Sequence, residues 1–281
     1  MKRKPEDFYC GEECNLLKLS MRFRRHLAAA IIAFHAIPHT AIAGENPVYT
    51  LAKDFGAAAS APARFDGGDW AVFGAVAGTA GLAMLADKSV NDSFIRSRTN
   101  TTDAFGKVGN AFGNGKILLP ALGAAYLAGK ATGSERLART AALSVDSLLV
   151  SGAIACLFKA VARRHRPSQD DNPFVWHGPD FNADASFPSG HTTIAFAVAG
   201  VWAEEYGDVP GVAPLAYGLA AMTAVSRLNS RAHWLSDVVA GGALGYFTAK
   251  GITARHRKPG NTALLPLIGP GRQGVIITKR F

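Results

Sequence analysis

Apolar residues run through this chain in blocks of helical length, parted by short polar breaks. The blocks cover 70–86, 116–130, 137–164, 192–206, 212–227 and 236–254. Gly, Asn, Asp and Pro crowd the breaks, and the alternation expected of half-buried strands is almost absent among them. Six helices with polar residues gathered at their ends predict an all-α fold, a six-helix bundle over residues 70–254. Residues 44–69 are rich in Ala, Gly and Pro without sustained periodicity, and read as a linker with room for one short helix. The tail departs from the pattern. Beyond a basic segment from 255, the apolar stretches 264–268 and 275–278 flank Gly269-Pro270-Gly271, which predicts a short C-terminal β-hairpin.

The first 43 residues have the layout of a targeting segment. Lys18, Arg22, Arg24 and Arg25 precede an apolar run over 27–34, and Ala41-Ile42-Ala43 supplies a small-x-small cleavage pattern before Gly44. This predicts a bacterial secretory signal. The acidic stretch ahead of Met21 is unusually long for one, which a true start at Met21 would explain. The alternative is an uncleaved anchor helix, although the apolar run is shorter than a membrane span.

Several helical blocks are only 15 to 19 residues long and rich in Ala and Gly, at the border between buried core helices and short membrane spans. The longer third block is interrupted by Asp146 and Lys159. Ionisable residues inside such a segment face protein or a site rather than lipid. The expected setting is the bacterial cell envelope, with a periplasm-facing bundle embedded in or bound to the membrane rather than soluble.

Composition narrows the partners. The 281 residues are 48% hydrophobic and 18% charged, with a formal net charge of +9. A basic balance fits nucleic acid, an anionic membrane surface or a phosphorylated substrate. No dense Lys/Arg run interleaved with aromatics is present, so no nucleic-acid partner is expected. Of three cysteines, Cys10 and Cys14 fall in the targeting segment and Cys156 in an apolar block, where a core position is expected.

Three segments concentrate polar residues at the ends of apolar helices. The first is Lys159-x6-Arg166-Pro167, preceded by Arg163, Arg164 and His165. A seven-residue step is nearly two helical turns, which predicts Lys159 and Arg166 on one face with Arg163 between them. Pro167 then ends the helix near Arg166. The second is Pro188-Ser189-Gly190-His191 at the entrance of a helix. There, backbone N–H groups and the dipole favour an anion, Gly190 allows close approach, and Ser189 can donate its hydroxyl beside His191. The third is Ser226-Arg227-x5-His233-x3-Asp237. A four-residue step on a helical turn predicts that the His233 and Asp237 side chains meet, fixing the tautomer of a nucleophilic imidazole. Plain readings exist for each segment: a cationic helix end, a serine cap, a structural His–Asp pair. None explains Lys159 deep inside an apolar block.

In order and internal spacing, the three segments resemble the type 2 phosphatidic acid phosphatase and vanadium haloperoxidase superfamily, with no motif position substituted. The resemblance implies a metal-independent phosphatase, without cofactor, acting on a phosphomonoester or diphosphate that is lipid-linked. It implies that Lys159, Arg166 and Arg227 hold phosphate oxygens, with the Ser189 hydroxyl and Gly190 N–H completing the cradle. His233 would attack phosphorus to give a phosphohistidine, Asp237 would orient it, and His191 would protonate the leaving alkoxide. The competing expectations are vanadate-dependent halide oxidation in the same cradle and a non-catalytic membrane lipid-binding protein. Around the motifs, Phe174, Trp176 and His177 are candidate substrate contacts and Trp234 a pocket wall. His256, among Arg255, Arg257 and Lys258, is expected at a solvated or lipid-facing basic helix end.

Overall fold

Asp66 and Asp69 close a capping box at the head of a long helix. The Asp69 N–H donates to the Asp66 carboxylate at 2.8 Å and the Asp66 N–H to Asp69 at 3.2 Å. Similar caps, from Thr99, Asn114 and Ser134, start the three helices that follow. The computed structural model describes residues 47–179 and 185–257 and the backbone of 262–269 and 272–279. The targeting segment, Cys10 and Cys14 lie outside the described residues, as does the Pro270-Gly271 turn.

Among the described residues the order is α1 (Pro47–Ala59), α2 (Gly67–Ser97), α3 (Asn100–Ala111), α4 (Gly115–Ala131), α5 (Glu135–Ala162), α6 (Gly190–Glu205), α7 (Val212–Asn229) and α8 (Leu235–His256). Strands β1 (Thr262–Gly269) and β2 (Arg272–Lys279) pair antiparallel, with Thr262 opposite Lys279. The fold is mostly helical, but the expected six helices are eight. The six apolar blocks correspond to α2 and α4 to α8, and two helices had no clear signal.

Helix α1 occupies the stretch read as a linker. It is short and alanine-rich, and Leu51 and Phe55 pack against a core cluster of Leu143, Val150 and Val201. Its buried Asp54 receives Arg255 Nε at 2.9 Å and His256 Nε2 at 2.7 Å. His256 is therefore turned inward to a carboxylate, not outward to solvent or lipid. Helix α3 is concealed by two glycines and a polar composition. One of them serves close packing: a Cβ on Gly109 would stand 2.5 Å from the Met222 carbonyl of α7. The Gly109 carbonyl instead accepts the Thr223 hydroxyl at 2.7 Å.

Helix α6 lies at the centre, packed against α5, α7 and α8. Its inward positions are small, Ala195, Ala197, Ala199 and Gly200, so the neighbouring backbones approach closely. Gly245 of α8 rests on the Thr193 backbone, where no side chain fits. Cys156, expected in the core, is only partly buried.

Among the described residues two helices are long and apolar enough to cross a membrane, α2 and α5, and they differ sharply. Within α5, 61% of the apolar window is buried, as a central helix requires, whereas in α2 the share is 6%. Trp70, Val72, Phe73, Leu82 and Leu85 of α2 are exposed. Its buried residues are Ala80, Asp87 and Asn91. Polar inside and apolar outside is the reverse of a water-facing helix.

Candidate active site

Helix α5 stops earlier than expected. Arg163 adopts a left-handed conformation (φ 44°, ψ 49°) and caps the helix, its N–H donating to the Lys159 carbonyl. Lys159 and Arg166 therefore do not share a helical face; the chain turns at Arg163 and brings Arg166 back in extended form. Both cations reach the same place. Lys159 Nζ donates to the Ala185 carbonyl at 2.7 Å, and Arg166 Nη2 approaches that carbonyl at 3.4 Å. Arg166 Nη1 donates to the Ala232 carbonyl at 2.9 Å and stands 3.5 Å from His233 Nε2. Both cations are buried, a costly setting that needs such partners.

His233 sits just before α8, 1% exposed. Its Nδ1 lies 2.7 Å from the Ser186 carbonyl. A carbonyl oxygen only accepts, so Nδ1 carries the hydrogen and Nε2 holds the lone pair, facing Arg166. Burial holds this imidazole well below its usual range, and the charges of Arg166, Lys159 and Arg227, then His191, push the same way. The ring is neutral near pH 7.

The expected meeting of His233 and Asp237 is not a hydrogen bond. Asp237 Oδ2 stands 3.8 Å from Nδ1. His233 precedes the helix, and Asp237, in its first turn, reaches back to cap it by accepting the Trp234 N–H at 2.8 Å. The carboxylate also accepts the Ser186 hydroxyl and, through Oδ1, Arg164 Nη1 at 2.7 Å. Its link to His233 thus runs through Ser186. Burial pushes the Asp237 carboxyl up, against the pull of Arg164, Ser186 and Trp234.

Ser189 caps α6 without a side-chain bond to the helix backbone; its hydroxyl pairs with that of Thr192 at 2.9 Å. Its N–H donates to the Asp237 carbonyl at 3.0 Å, which locks the Ser189-Gly190-His191 turn to the head of α8. Gly241 makes that contact possible, since a Cβ there would lie 2.6 Å from the Ser189 carbonyl. His191 is held well below the usual imidazole range by burial and then by the Arg227 charge. Gly113, in the α3–α4 turn, leaves room for His191, where a Cβ would fall 2.7 Å from its carbonyl. Arg227 donates to the Asn110 side chain of α3.

Sequence reasoning missed Arg164, Asp87, Ser186 and Asn110. Arg164 is fully buried and spans Asp87 Oδ2 at 2.6 Å and Asp237 Oδ1 at 2.7 Å. Its only sequence signal was a second arginine beside Arg163, and Asp87 is remote in the chain. Of the loop candidates, Trp176 lies under the Arg164 guanidinium and against Phe187. His177 faces His165 across 2.6 Å, and Phe174 is exposed. Trp234 is buried next to His233, donating Nε1–H to the His165 carbonyl at 2.8 Å.

Over 68 residues the chain is 44% identical to a lipid A 1-phosphatase of Porphyromonas gingivalis, covering 24% of this chain and 15% of that one. Over 96 residues it is 38% identical to a decaprenylphosphoryl-5-phosphoribose phosphatase of Mycobacterium tuberculosis, covering 34% of this chain and 50% of that one. The alignments thus span half or less of these curated relatives. A transmembrane PAP2-type phosphatidylglycerolphosphate phosphatase from Bacillus subtilis superposes with a TM-score of 0.45 at 16% identity, over 74% of this chain and 94% of that one. Residues 141–260 match the family model of the PAP2 superfamily. That segment runs from the second turn of α5 past the end of α8 and holds every motif residue from Lys159 to Asp237, so the similarity to the PAP2 superfamily lies in the motif-bearing region.

Proposed function

We propose that the chain is a phosphoric ester hydrolase that removes phosphate from a lipid-linked monoester or diphosphate, through a phosphohistidine on His233. The observation that carries this reading is the state of His233: a neutral imidazole with Nδ1–H pinned to the Ser186 carbonyl and Nε2 turned to Arg166. Nε2 attacks phosphorus in line. Lys159, Arg166 and Arg227 bind the equatorial oxygens, with the Ser189 hydroxyl and the Gly190 N–H, and stabilise the charge spread over them. As Nε2 bonds to phosphorus the ring becomes cationic, and the Ser186 carbonyl and the Asp237 carboxylate behind it favour that charge. His191 gives its proton to the leaving alkoxide. Water then attacks the phosphohistidine, with His191 as base, and releases phosphate.

A lipid substrate is favoured by the exposed apolar flank of α2, whose buried face is polar. That helix lies on the membrane side, and the enzyme is membrane-associated in the cell envelope. The names of the two curated relatives, both phosphatases of lipid-linked groups, point the same way. Phosphate release by the purified chain in detergent tests the reading. Phosphatidic acid, phosphatidylglycerol phosphate and undecaprenyl diphosphate are compared with soluble sugar phosphates. Turnover of at least one lipid above the soluble panel is expected. Release from no lipid substrate would overturn it.

A further inference from the structure

Among the charged residues of α2, only Asp87 is buried. A buried carboxylate on the inner face of a helix is costly unless it is fully partnered. Asp87 is: Oδ1 accepts the Ser236 N–H at 2.8 Å, and Oδ2 accepts the Ser236 hydroxyl at 2.7 Å and Arg164 Nη2 at 2.6 Å. Arg164 Nη1 continues to Ser236 Oγ and Asp237 Oδ1, both at 2.7 Å, while its Nε donates to the Pro173 carbonyl at 2.8 Å. Asp237 then accepts the Ser186 hydroxyl, and the Ser186 carbonyl holds His233 Nδ1. Asp87, Arg164, Ser186, Ser236 and Asp237 are all 0% exposed, so no water competes for these bonds.

We propose that Asp87 is a positioning residue for His233, acting through Arg164, Ser236, Asp237 and Ser186, and that it ties the seat of α2 to the reaction. This rests on the reading of His233 as nucleophile. Two consequences follow from the chemistry. One guanidinium shared by two carboxylates leaves one surplus negative charge behind the imidazole, which favours the cation formed when Nε2 attacks. The same carboxylate fixes the first turn of α8 through the Ser236 N–H, and with it the capping position of Asp237. The three cations of the cradle keep seats of their own, because Lys159 and Arg166 rest on the Ala185 and Ala232 carbonyls and Arg227 on Asn110. Loss of Asp87 therefore slows attack more than it weakens the hold of these cations on an anion.

The test compares full-length wild type, Asp87→Asn and Ser236→Ala in detergent, with para-nitrophenyl phosphate as substrate. Rapid quenching gives the rate of phosphoenzyme formation, and vanadate inhibition reports the cradle. Asp87→Asn is expected to slow phosphoenzyme formation about 10- to 100-fold, the usual cost of removing a partner that orients a reacting group. Ser236→Ala is expected to slow it less, with vanadate inhibition weakened by a smaller factor than the rate in both. A wild-type rate in Asp87→Asn overturns the proposal. So does a parallel loss of rate and vanadate inhibition, which marks a support for the whole fold. If Asp87→Asn does not fold, Ser236→Ala decides: a wild-type rate there overturns it. Absence of phosphoenzyme in the wild type itself overturns the nucleophile reading, and this one with it; that failure is visible before any variant is made.

Discussion

His233 donates its Nδ1 hydrogen to the main-chain carbonyl of Ser186 across 2.7 Å. A main-chain acceptor cannot be deleted by mutation and cannot titrate, so the imidazole tautomer is fixed by the fold rather than by a side chain. The Ser186 hydroxyl, in turn, is held by Asp237.

That division of labour separates two variants. Asp237→Ala leaves Arg164 facing only one carboxylate in a buried network, a change that costs about 3–5 kcal/mol where a buried pair is broken. Ser186→Ala removes one hydroxyl and keeps the carbonyl, at about 1 kcal/mol. Denaturant unfolding should rank Asp237→Ala well below Ser186→Ala. Activity should follow the same order, with Ser186→Ala retaining measurable turnover.

Acid should weaken the fold through the two site histidines. Both are held below the ordinary imidazole value, His233 and His191 alike, chiefly by burial. Below about pH 6.5 the unfolded chain takes up protons that the folded site refuses. Stability from these groups is complete above that pH and declines as pH falls, by up to about 1.4 kcal/mol per pH unit for each. Unfolding curves across this range should flatten in His233→Ala; an unchanged slope would count against the buried neutral ring.

His191 has to gain a proton before it can act as an acid. In the site described here, burial and Arg227 keep it neutral. A phosphate dianion bound beside it favours the charged imidazole, so anion binding near neutral pH should draw in a proton. Calorimetry of vanadate or inorganic phosphate binding in buffers of different ionisation enthalpy should show net proton uptake, lost in His191→Ala.

Close backbone contact between α6 and α8 should be needed for activity. Gly241→Ala sets a Cβ 2.6 Å from the Ser189 carbonyl, a contact only backbone movement can relieve. Overpacking of this kind costs about 1–3 kcal/mol. Because the moving atoms belong to the Ser189-Gly190-His191 turn, turnover should fall further than the stability loss explains. Thermal unfolding paired with turnover measurements checks it.

Much of this site was legible in the sequence because its motifs are compact. Lys159, the Ser189 turn and His233 mark themselves by polar residues at the ends of apolar blocks, and the six apolar helices follow from block length. What escaped is long-range or unpatterned. Asp87 lies 77 residues from Arg164, and no local spacing announces their bond. Helix α3 is short and polar, so it forms no apolar block like those that mark the other helices, and its close approach to α7 at Gly109 joins residues far apart in the chain. The supposed shared face of Lys159 and Arg166 fails at one dihedral, the left-handed turn of Arg163, which no glycine signals. The four-residue step from His233 to Asp237 assumes a helix that begins only at Leu235.

The most direct test is to find the phosphate on the enzyme. The chain is mixed with a radiolabelled phosphate ester, quenched in alkaline detergent, and the labelled peptide is identified by mass spectrometry. An acid-labile, alkali-stable label on His233, absent in His233→Ala, is the expected result. Undiminished turnover and labelling in His233→Ala would contradict it.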